Sequence, residues 1–303
     1  MKNIVLFSDG TANEPGKNIT NVLRIYALAE KNYEQICLYD PGIGTWGRKL
    51  IGQATGAGIT QNIQDLYLYL MNNYEAGDRV FLFGFSRGAF TVRALAGMLY
   101  KVGLLRKDQD SLLGYASKAY NKRNNNGEAA EFKRLFSRHC PIYCICVFDT
   151  VASLNPLNPK FFDGKINPEV KYAFHAVAID EKRAMFKPVL WDENKLVAGQ
   201  TMKQVWFAGV HADIGGWYDE RGHSNITLNW AIAETMGVGF KCNHQHFKED
   251  ISQEIHDSHT GLWNFAGTHV RKIKKDSSLH SSVYKKGRIH NYKPINLKKG
   301  WLG

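Results

Sequence analysis

The chain has 303 residues, of which 44% are hydrophobic and 22% charged, proportions typical of a folded protein with a large core and not of a disordered one. This length fits one large α/β domain or two small ones. No apolar stretch reaches the roughly 18 residues that cross a bilayer, and the run Ile4–Phe7 is too short for the core of a signal peptide. We therefore expect a cytoplasmic location where the protein is made, and export by a specialised secretion system stays open.

Short apolar runs bounded by turn residues recur along the chain, and they predict strands buried on both faces of a parallel sheet. In chain order these runs are Ile4–Phe7, Gln35–Tyr39, Val80–Phe83, Ile142–Phe148 and Val205–Phe207. Between them, Thr60–Tyr74 carries apolar residues at helical spacing and Ala89–Leu105 is apolar almost all round, so both predict helices packed on the sheet. The alternation predicts an α/β-hydrolase-like fold, with a mostly parallel central sheet and helices on both faces, in a single domain over residues 1–303.

The formal net charge of +11 is unevenly distributed. Between Arg271 and Lys299 there are ten Lys or Arg residues and one acidic residue, Asp276. This basic C-terminal segment, about residues 270–303, can attract anionic lipid or nucleic acid, or it can be a merely solvated face. Because no RNA-binding consensus with interleaved aromatic residues is present, nucleic acid is not the expected partner, and a peripheral contact with a membrane surface stays open.

Five cysteines are scattered along the chain, and only Cys144 and Cys146 lie close together, on alternate positions of a predicted strand. A zinc site would need paired short spacings of ligands. We therefore interpret the cysteines as packed, reduced thiols, and we predict neither a metal site nor a cofactor.

The strongest chemical signal is the motif Gly84-Phe85-Ser86-Arg87-Gly88. It follows a predicted strand and runs directly into a predicted helix, which is the context of a nucleophile elbow. The flanking glycines let neighbouring backbone approach the sharp turn, and the turn exposes the serine hydroxyl. Ser86 is the predicted nucleophile, and the amide of Arg87 at the start of the helix is a predicted donor to an oxyanion.

A nucleophilic serine needs a base and an orienting carboxylate, which in this fold follow in the order serine, acid, histidine. The candidate acids are Asp149, at the end of a predicted strand, and Asp213, just after a later one. The candidate bases are His211 and His280. Chain order favours Asp213 with His280, and it also allows Asp149 with His211.

The opening segment Ser8-Asp9-Gly10-Thr11 lies where the first strand ends. A second oxyanion amide commonly comes from such an early loop, so Gly10 and Thr11 are candidates and Asp9 is a candidate substrate contact. The alternative is an ordinary Asp-Gly turn. An aspartyl phosphotransferase would need an aspartate at position 7, where this chain has Phe7.

Several longer motifs carry a family resemblance: FSDGTAN near the start, YDPGIGT at Tyr39–Thr45, GFSRGAFTVR at Gly84–Arg93, and FDTVASL at Phe148–Leu154. The later motifs are DEKRAMFKPVLW at Asp180–Trp191, WFAGVHADIGG at Trp206–Gly216 and LHSSV at Leu279–Val283. With them the chain resembles the α/β-hydrolase domain shared by type VI secretion phospholipase effectors and many uncharacterised bacterial and fungal proteins. The resemblance implies a Ser-Asp-His hydrolase acting on acyl esters of glycerophospholipids, with Ser86 as the nucleophile.

Three functions follow, in order of preference. The first is a serine esterase or lipase, with a phospholipase as the preferred kind, whose substrate is a lipid or a small ester. The second is a hydrolase of a phosphodiester or a nucleotide-derived anion, which the basic charge and the glycine-rich stretch Gly42–Gly58 would suit. The third is a non-catalytic binding module on the same scaffold.

Overall fold

The structure, a computed structural model, describes residues 1–10, 19–42, 56–122, 126–151, 164–260, 267–298 and 301. Its strands are β1 (Asn3–Ser8), β2 (Gln35–Asp40), β3 (Arg79–Phe85), β4 (Leu104–Leu105), β5 (Ser137–Arg138), β6 (Ile142–Phe148), β7 (Val170–Ala178), β8 (Thr201–Phe207) and β9 (Ser278–Leu279). Its α-helices are α1 (Asn21–Leu28), α2 (Gly56–Asn73), α3 (Arg87–Val102), α4 (Leu113–Asn121), α5 (Asn126–Phe136), α6 (His211–Gly215), α7 (Gly222–Met236) and α8 (Ser281–His290).

The central sheet has seven strands in the order β2-β1-β3-β6-β7-β8-β9. Every neighbouring pair in it is parallel. The carboxyl ends of all seven strands therefore meet at one edge, and Asp9, Ser86, Asp149 and His211 follow the strands β1, β3, β6 and β8 there. In open parallel sheets this edge is where ligands bind.

Alternate residues of the inner strands face two separate apolar clusters, which explains why their sequences are apolar without a break. Ile4 and Leu6 on β1 face the cluster that includes α2, α3 and α4. Val5 and Phe7 face the opposite cluster, which includes α1 and α7. Helices therefore cover both faces of the sheet, and the predicted α/β-hydrolase-like fold class is confirmed.

All five predicted strands are present, and two further strands of the central sheet were not predicted. In β7 the apolar run is interrupted by Lys171 and His175. His175 is fully buried in spite of its polarity, because its ring nitrogens pair with the Thr150 amide and the Gln204 side chain. The other strand, β9, is only two residues long. The predicted helix Ala89–Leu105 begins two residues earlier and ends at Val102, where Gly103 takes a φ of 74° that residues with a side chain rarely adopt.

The chain after α7 returns to the same sheet. Ser278 and Leu279 pair with Val205 and Trp206 of β8, and Val283 of α8 packs in a third apolar cluster with Trp206. The organisation of residues 1–303 as one domain stays a prediction. Of the helices within the described ranges, none has both the length and the apolar character of a membrane span.

Gly88 lies where the first turn of α3 meets the end of β1. A Cβ atom at this position would lie 2.0 Å from the carbonyl oxygen of Ser8. We expect Gly88→Ala to lower the free energy of unfolding by about 3 kcal/mol, because backbone, and not a flexible side chain, would have to move. Gly114→Ala is the matched control, since a Cβ there meets nothing within 4 Å, and it should leave stability unchanged or raise it by up to about 1 kcal/mol. Urea denaturation of both variants decides the matter, and equal midpoints would contradict this packing argument.

Candidate active site

Ser86 stands between β3 and α3 in a strained backbone conformation, with φ 57° and ψ −119°. A positive φ is uncommon for a residue with a side chain and persists only where the surroundings enforce it. Here the two motif glycines do so: a Cβ on Gly84 would lie 2.6 Å from the Ala89 Cα atom, and one on Gly88 would overlap the end of β1. The Ser86 amide donates to the Phe148 carbonyl of β6 at 3.1 Å. The turn is therefore fixed from both sides.

The Ser86 hydroxyl lies 2.8 Å from Nε2 of His211. Nδ1 of the same ring lies 2.6 Å from Oδ2 of Asp149. These contacts form one hydrogen-bonded chain in which a serine, an imidazole and a carboxylate follow three strands of the sheet: β3, β8 and β6. All three residues are buried, with 9% of Ser86, 5% of His211 and none of Asp149 exposed. This is the arrangement that activates a serine nucleophile.

The Asp149 carboxylate receives four hydrogen bonds. Oδ1 accepts from the Ala178 amide at 2.9 Å and from Nη1 of Arg271 at 2.6 Å. Oδ2 accepts from Nη2 of Arg271 at 2.9 Å, in addition to the contact with His211. Burial alone would raise the pKa of Asp149, but the charge and hydrogen bonds of Arg271, with the hydrogen bond to His211, outweigh it and hold this pKa well below its usual range. Asp149 is therefore ionised.

The His211 ring is held between two aromatic side chains. The Phe85 ring lies at a centroid distance of 4.7 Å, and the Phe186 ring meets it edge to face at 4.9 Å. The backbone amide of His211 donates to Oε2 of Glu181 at 3.2 Å. Glu181 in turn pairs with Arg183, whose guanidinium lies 3.6 Å from the centroid of the Phe186 ring. The orientation of the imidazole is thus set by packing as well as by its two hydrogen bonds.

Asp213 and His280, the pair that chain order favoured, lie elsewhere. Asp213 is two residues after His211 on α6, and residues at that spacing point to opposite sides of a helix. Its carboxylate accepts from the Val210 amide at 2.9 Å and contacts Nδ1 of His256 at 2.6 Å.

His280 follows β9, four strands from β3, which is about 19 Å at the usual strand spacing. It caps α8 through Ser282 and stacks on Phe207. The structure therefore joins Ser86 to His211 and Asp149, the other pairing that the sequence allowed, and the preference for Asp213 with His280 does not match it.

Ser8 and Asp9, at the end of β1, lie beside the Ser86 turn, as the closeness of Gly88 to their backbone requires. Asp9 is buried and accepts hydrogen bonds from the Gly10 amide at 2.7 Å, the Tyr39 hydroxyl at 2.8 Å and the Thr20 hydroxyl. The Gly10 amide, a predicted oxyanion donor, is thus engaged with Asp9. Thr11 lies outside the described residues, as do residues 43–55 of the glycine-rich stretch.

Arg87, the remaining oxyanion candidate, is the first residue of α3, so its amide has no partner inside the helix. Its side chain is partly buried, and this burial lowers the pKa of the guanidinium to about 10.

Sequence reasoning missed three residues of this site. Arg271 was counted with the basic C-terminal segment, and nothing in its neighbourhood marks it as buried. Glu181 and Phe186 belong to the motif at Asp180–Trp191, which carried the resemblance but was given no role. No group of three or more His, Cys, Asp or Glu residues within the described part of the chain could hold a metal ion.

Residues 2–234 match the family described as T6SS, phospholipase effector Tle1-like, catalytic domain. The chain belongs to this family. Since the match covers more than half of the chain, it confirms the resemblance seen in the sequence motifs.

Two relatives extend the comparison. An uncharacterized protein of Saccharomyces cerevisiae is 35% identical over 218 residues, which are 61% of this chain and 32% of the yeast protein. The crystal structure of an uncharacterized protein from Pseudomonas aeruginosa superposes with a TM-score of 0.51 at 17% identity, covering 80% of this chain and 46% of that one. At this identity the bacterial structure shows a shared fold. The chain spans less than half the length of either relative.

Asp9 should make stability depend on pH. Burial raises its pKa from 3.8 to about 6, so the folded protein keeps this proton to a higher pH than the unfolded chain does. The free energy of unfolding should therefore fall as the pH rises from about 4 to about 6 and stay lower above that range. Asp9→Asn removes this titration, so the variant should gain on the order of 3 kcal/mol relative to the wild type between pH 4 and pH 7.

Urea denaturation of both proteins across this range measures the difference. Asp180, whose pKa burial also raises to about 6, is present in both and cancels. Parallel stability curves for the two proteins would contradict the expectation.

Proposed function

We propose that this protein is a serine esterase of the phospholipase class, which cleaves acyl esters of lipids with Ser86 as its nucleophile. The observation that carries the proposal is the hydrogen-bonded chain from the Ser86 hydroxyl through His211 to Asp149. The lipid substrate is supported by membership in a family of phospholipase effectors. Export by a type VI secretion system is the transport route that this membership favours.

In the proposed reaction, Nε2 of His211 takes the proton of the Ser86 hydroxyl as the oxygen attacks the ester carbonyl carbon. The tetrahedral intermediate collapses when the imidazolium returns this proton to the leaving alcohol, which gives an acyl-serine. A water molecule, deprotonated by the same imidazole, then attacks the acyl carbon; the bond from this carbon to the Ser86 oxygen breaks, the imidazolium returns the proton to that oxygen, and the fatty acid leaves. Throughout, the ionised Asp149 accepts from Nδ1–H and stabilises the positive charge on the ring.

The oxyanion that forms at the carbonyl needs fixed donors. The Arg87 amide begins α3 directly after the nucleophile, where the N–H groups and the helix dipole favour negative charge. We assign this amide as the first donor. If the second donor is the Gly10 amide, its hydrogen bond to Asp9 must break first. Otherwise the second donor is the amide of a residue after Gly10.

His211→Asn should reduce kcat for a short-chain p-nitrophenyl ester by about 10³-fold or more, because the serine then lacks its base. His280→Asn is the matched control: asparagine can still cap α8, and the variant should keep wild-type kcat. The wild type should also be labelled at Ser86 by a fluorophosphonate, as mapped by peptide mass spectrometry, whereas His211→Asn should label slowly.

Ser86→Ala gives the decisive negative test. If this variant still hydrolyses esters and phospholipids at the wild-type rate, the proposed function is wrong. Loss of activity with a chelator, together with no labelling by the fluorophosphonate, would instead favour the phosphodiester hydrolase. Absence of both activity and labelling would favour the binding module.

We also propose that α8 contacts an anionic membrane surface. Two members of the basic C-terminal segment are interior residues: Arg271 in the active site, and Lys286, which donates to the carbonyls of Ile251 and Gln253. Lys285 and Arg288 are exposed on α8. Beside them Ile289 is 67% exposed. Spacings of three and four residues put this trio on one helix face, where two cations surround an exposed apolar side chain.

Lys285→Glu/Arg288→Glu should weaken binding to vesicles that contain phosphatidylglycerol by at least about 10-fold, since each cation near such a surface contributes about 1 kcal/mol. Lys107→Glu/Lys118→Glu changes the net charge equally at exposed positions outside this segment and is the control. Vesicle sedimentation at two salt concentrations measures both. Equal losses in the two double variants would show a general charge effect and exclude a docking face on α8.

A further inference from the structure

Arg271 lies in the part of the chain beyond residues 234 that the family match does not cover. The segment that leads to Arg271 is hydrogen-bonded to the stretch of chain just before Phe186. Thr268 bridges Arg183 in antiparallel fashion, and the His269 amide donates to the Lys182 carbonyl at 2.7 Å. Seven residues after Arg271, β9 begins its pairing with β8. Arg271 is thus held between two anchored stretches of chain.

Arg271 is 2% exposed, and its guanidinium makes four directed contacts. Two go to the two oxygens of Asp149, in the bidentate geometry that a planar guanidinium permits. The others go to the Ala178 carbonyl at 2.9 Å and the Phe186 carbonyl at 2.7 Å. The ring of Phe186 is one of the two that hold His211. One side chain therefore fixes both the carboxylate and a wall of the imidazole site.

The charge of Arg271 is as important as its shape. Asp149 is completely buried, and a buried carboxylate is strongly disfavoured unless a cation or several donors compensate it. Other charged or titratable groups approach the Asp149–His211 pair: His175 on β7, Glu181 with its partner Arg183 in the segment after β7, and Arg271. Among these described groups, only Arg271 pairs directly with the carboxylate of Asp149.

We infer that Arg271 is a positioning residue for the Ser86–His211–Asp149 chain, and that the segment after residue 234 thereby completes the active site. Arg271 touches no reacting atom; it keeps Asp149 ionised and turned toward Nδ1 of His211. The inference rests on the proposed function for its catalytic meaning, whereas the effect on Asp149 and His211 can be measured without any hydrolysis.

Arg271→Met should lower kcat for a soluble p-nitrophenyl ester on the order of 10²-fold with little change in KM, because the base loses its alignment while substrate contacts remain. The acid limb of the pH profile of kcat/KM should also move to higher pH by about one unit. The reason is that without the guanidinium the pKa of Asp149 rises, so the Asp149–His211 pair takes up its proton at a higher pH.

Arg271→Lys, which keeps a positive charge but loses the planar bidentate group, should recover part of kcat. Lys275→Met, an exposed change in the same segment, should match the wild type.

Proton NMR gives the reading that does not depend on activity. In a Ser86→Ala background, the hydrogen-bonded Nδ1 proton of His211 should appear far downfield, and Arg271→Met should shift or remove it. Retained hydrolysis in Ser86→Ala would overturn the proposed function, while the NMR result would still test Arg271. Wild-type kcat, pH profile and Nδ1 resonance in a folded Arg271→Met variant would overturn the inference. If Arg271→Met does not fold, the same wild-type values in Arg271→Lys would overturn it, since an ammonium group has three donors and cannot make all four contacts of the guanidinium.

Discussion

The site depends on one buried carboxylate. Asp149 has no exposed surface, and its ionised form is stable there because Arg271, the Ala178 amide and His211 supply four hydrogen bonds. With the carboxylate fixed, Nδ1 of His211 is directed toward it, and Nε2 is left facing the Ser86 hydroxyl. The hydrogen bond of the Ser86 hydroxyl to His211 thus depends on the contact between Arg271 and Asp149, on the far side of the imidazole ring. Arg271 and Asp149 are more than 120 residues apart in the chain.

The sheet explains why these groups meet. Ser86 and Asp149 both follow neighbouring parallel strands, and both have positive φ values, 57° and 38°. Such conformations cost of order 1–3 kcal/mol each, and the packing around them must supply that energy. Around Ser86 the support comes from Gly84 and Gly88, which let α3 and β1 approach the turn closely. Strain and close packing therefore occur together at the carboxyl edge of the sheet.

Two chain segments outside the sheet enclose His211 and Asp149. The strip from Glu181 to Phe186 contacts His211 through a carboxylate and a ring. The segment that carries Arg271 is bonded to this strip along its backbone. The C-terminal part of the chain consequently has two roles: Arg271 is interior to the site, while Lys285 and Arg288 present an exposed basic face. Net charge alone does not separate these roles, because it counts a buried guanidinium and a solvated one equally.

The sequence by itself determined the fold class and the five apolar strands, and it singled out Ser86 as the candidate nucleophile. Each of these depends on local pattern: runs of apolar residues, helical spacing, and glycines beside a serine between a strand and a helix. The choice between Asp149 with His211 and Asp213 with His280 needed the order of strands in space, because chain order allows both and the sheet places β9 four strands from β3. Arg271 could not be found from the sequence either. Its burial and its carboxylate partner arise from contacts between distant segments, and only the tertiary structure brings those segments together.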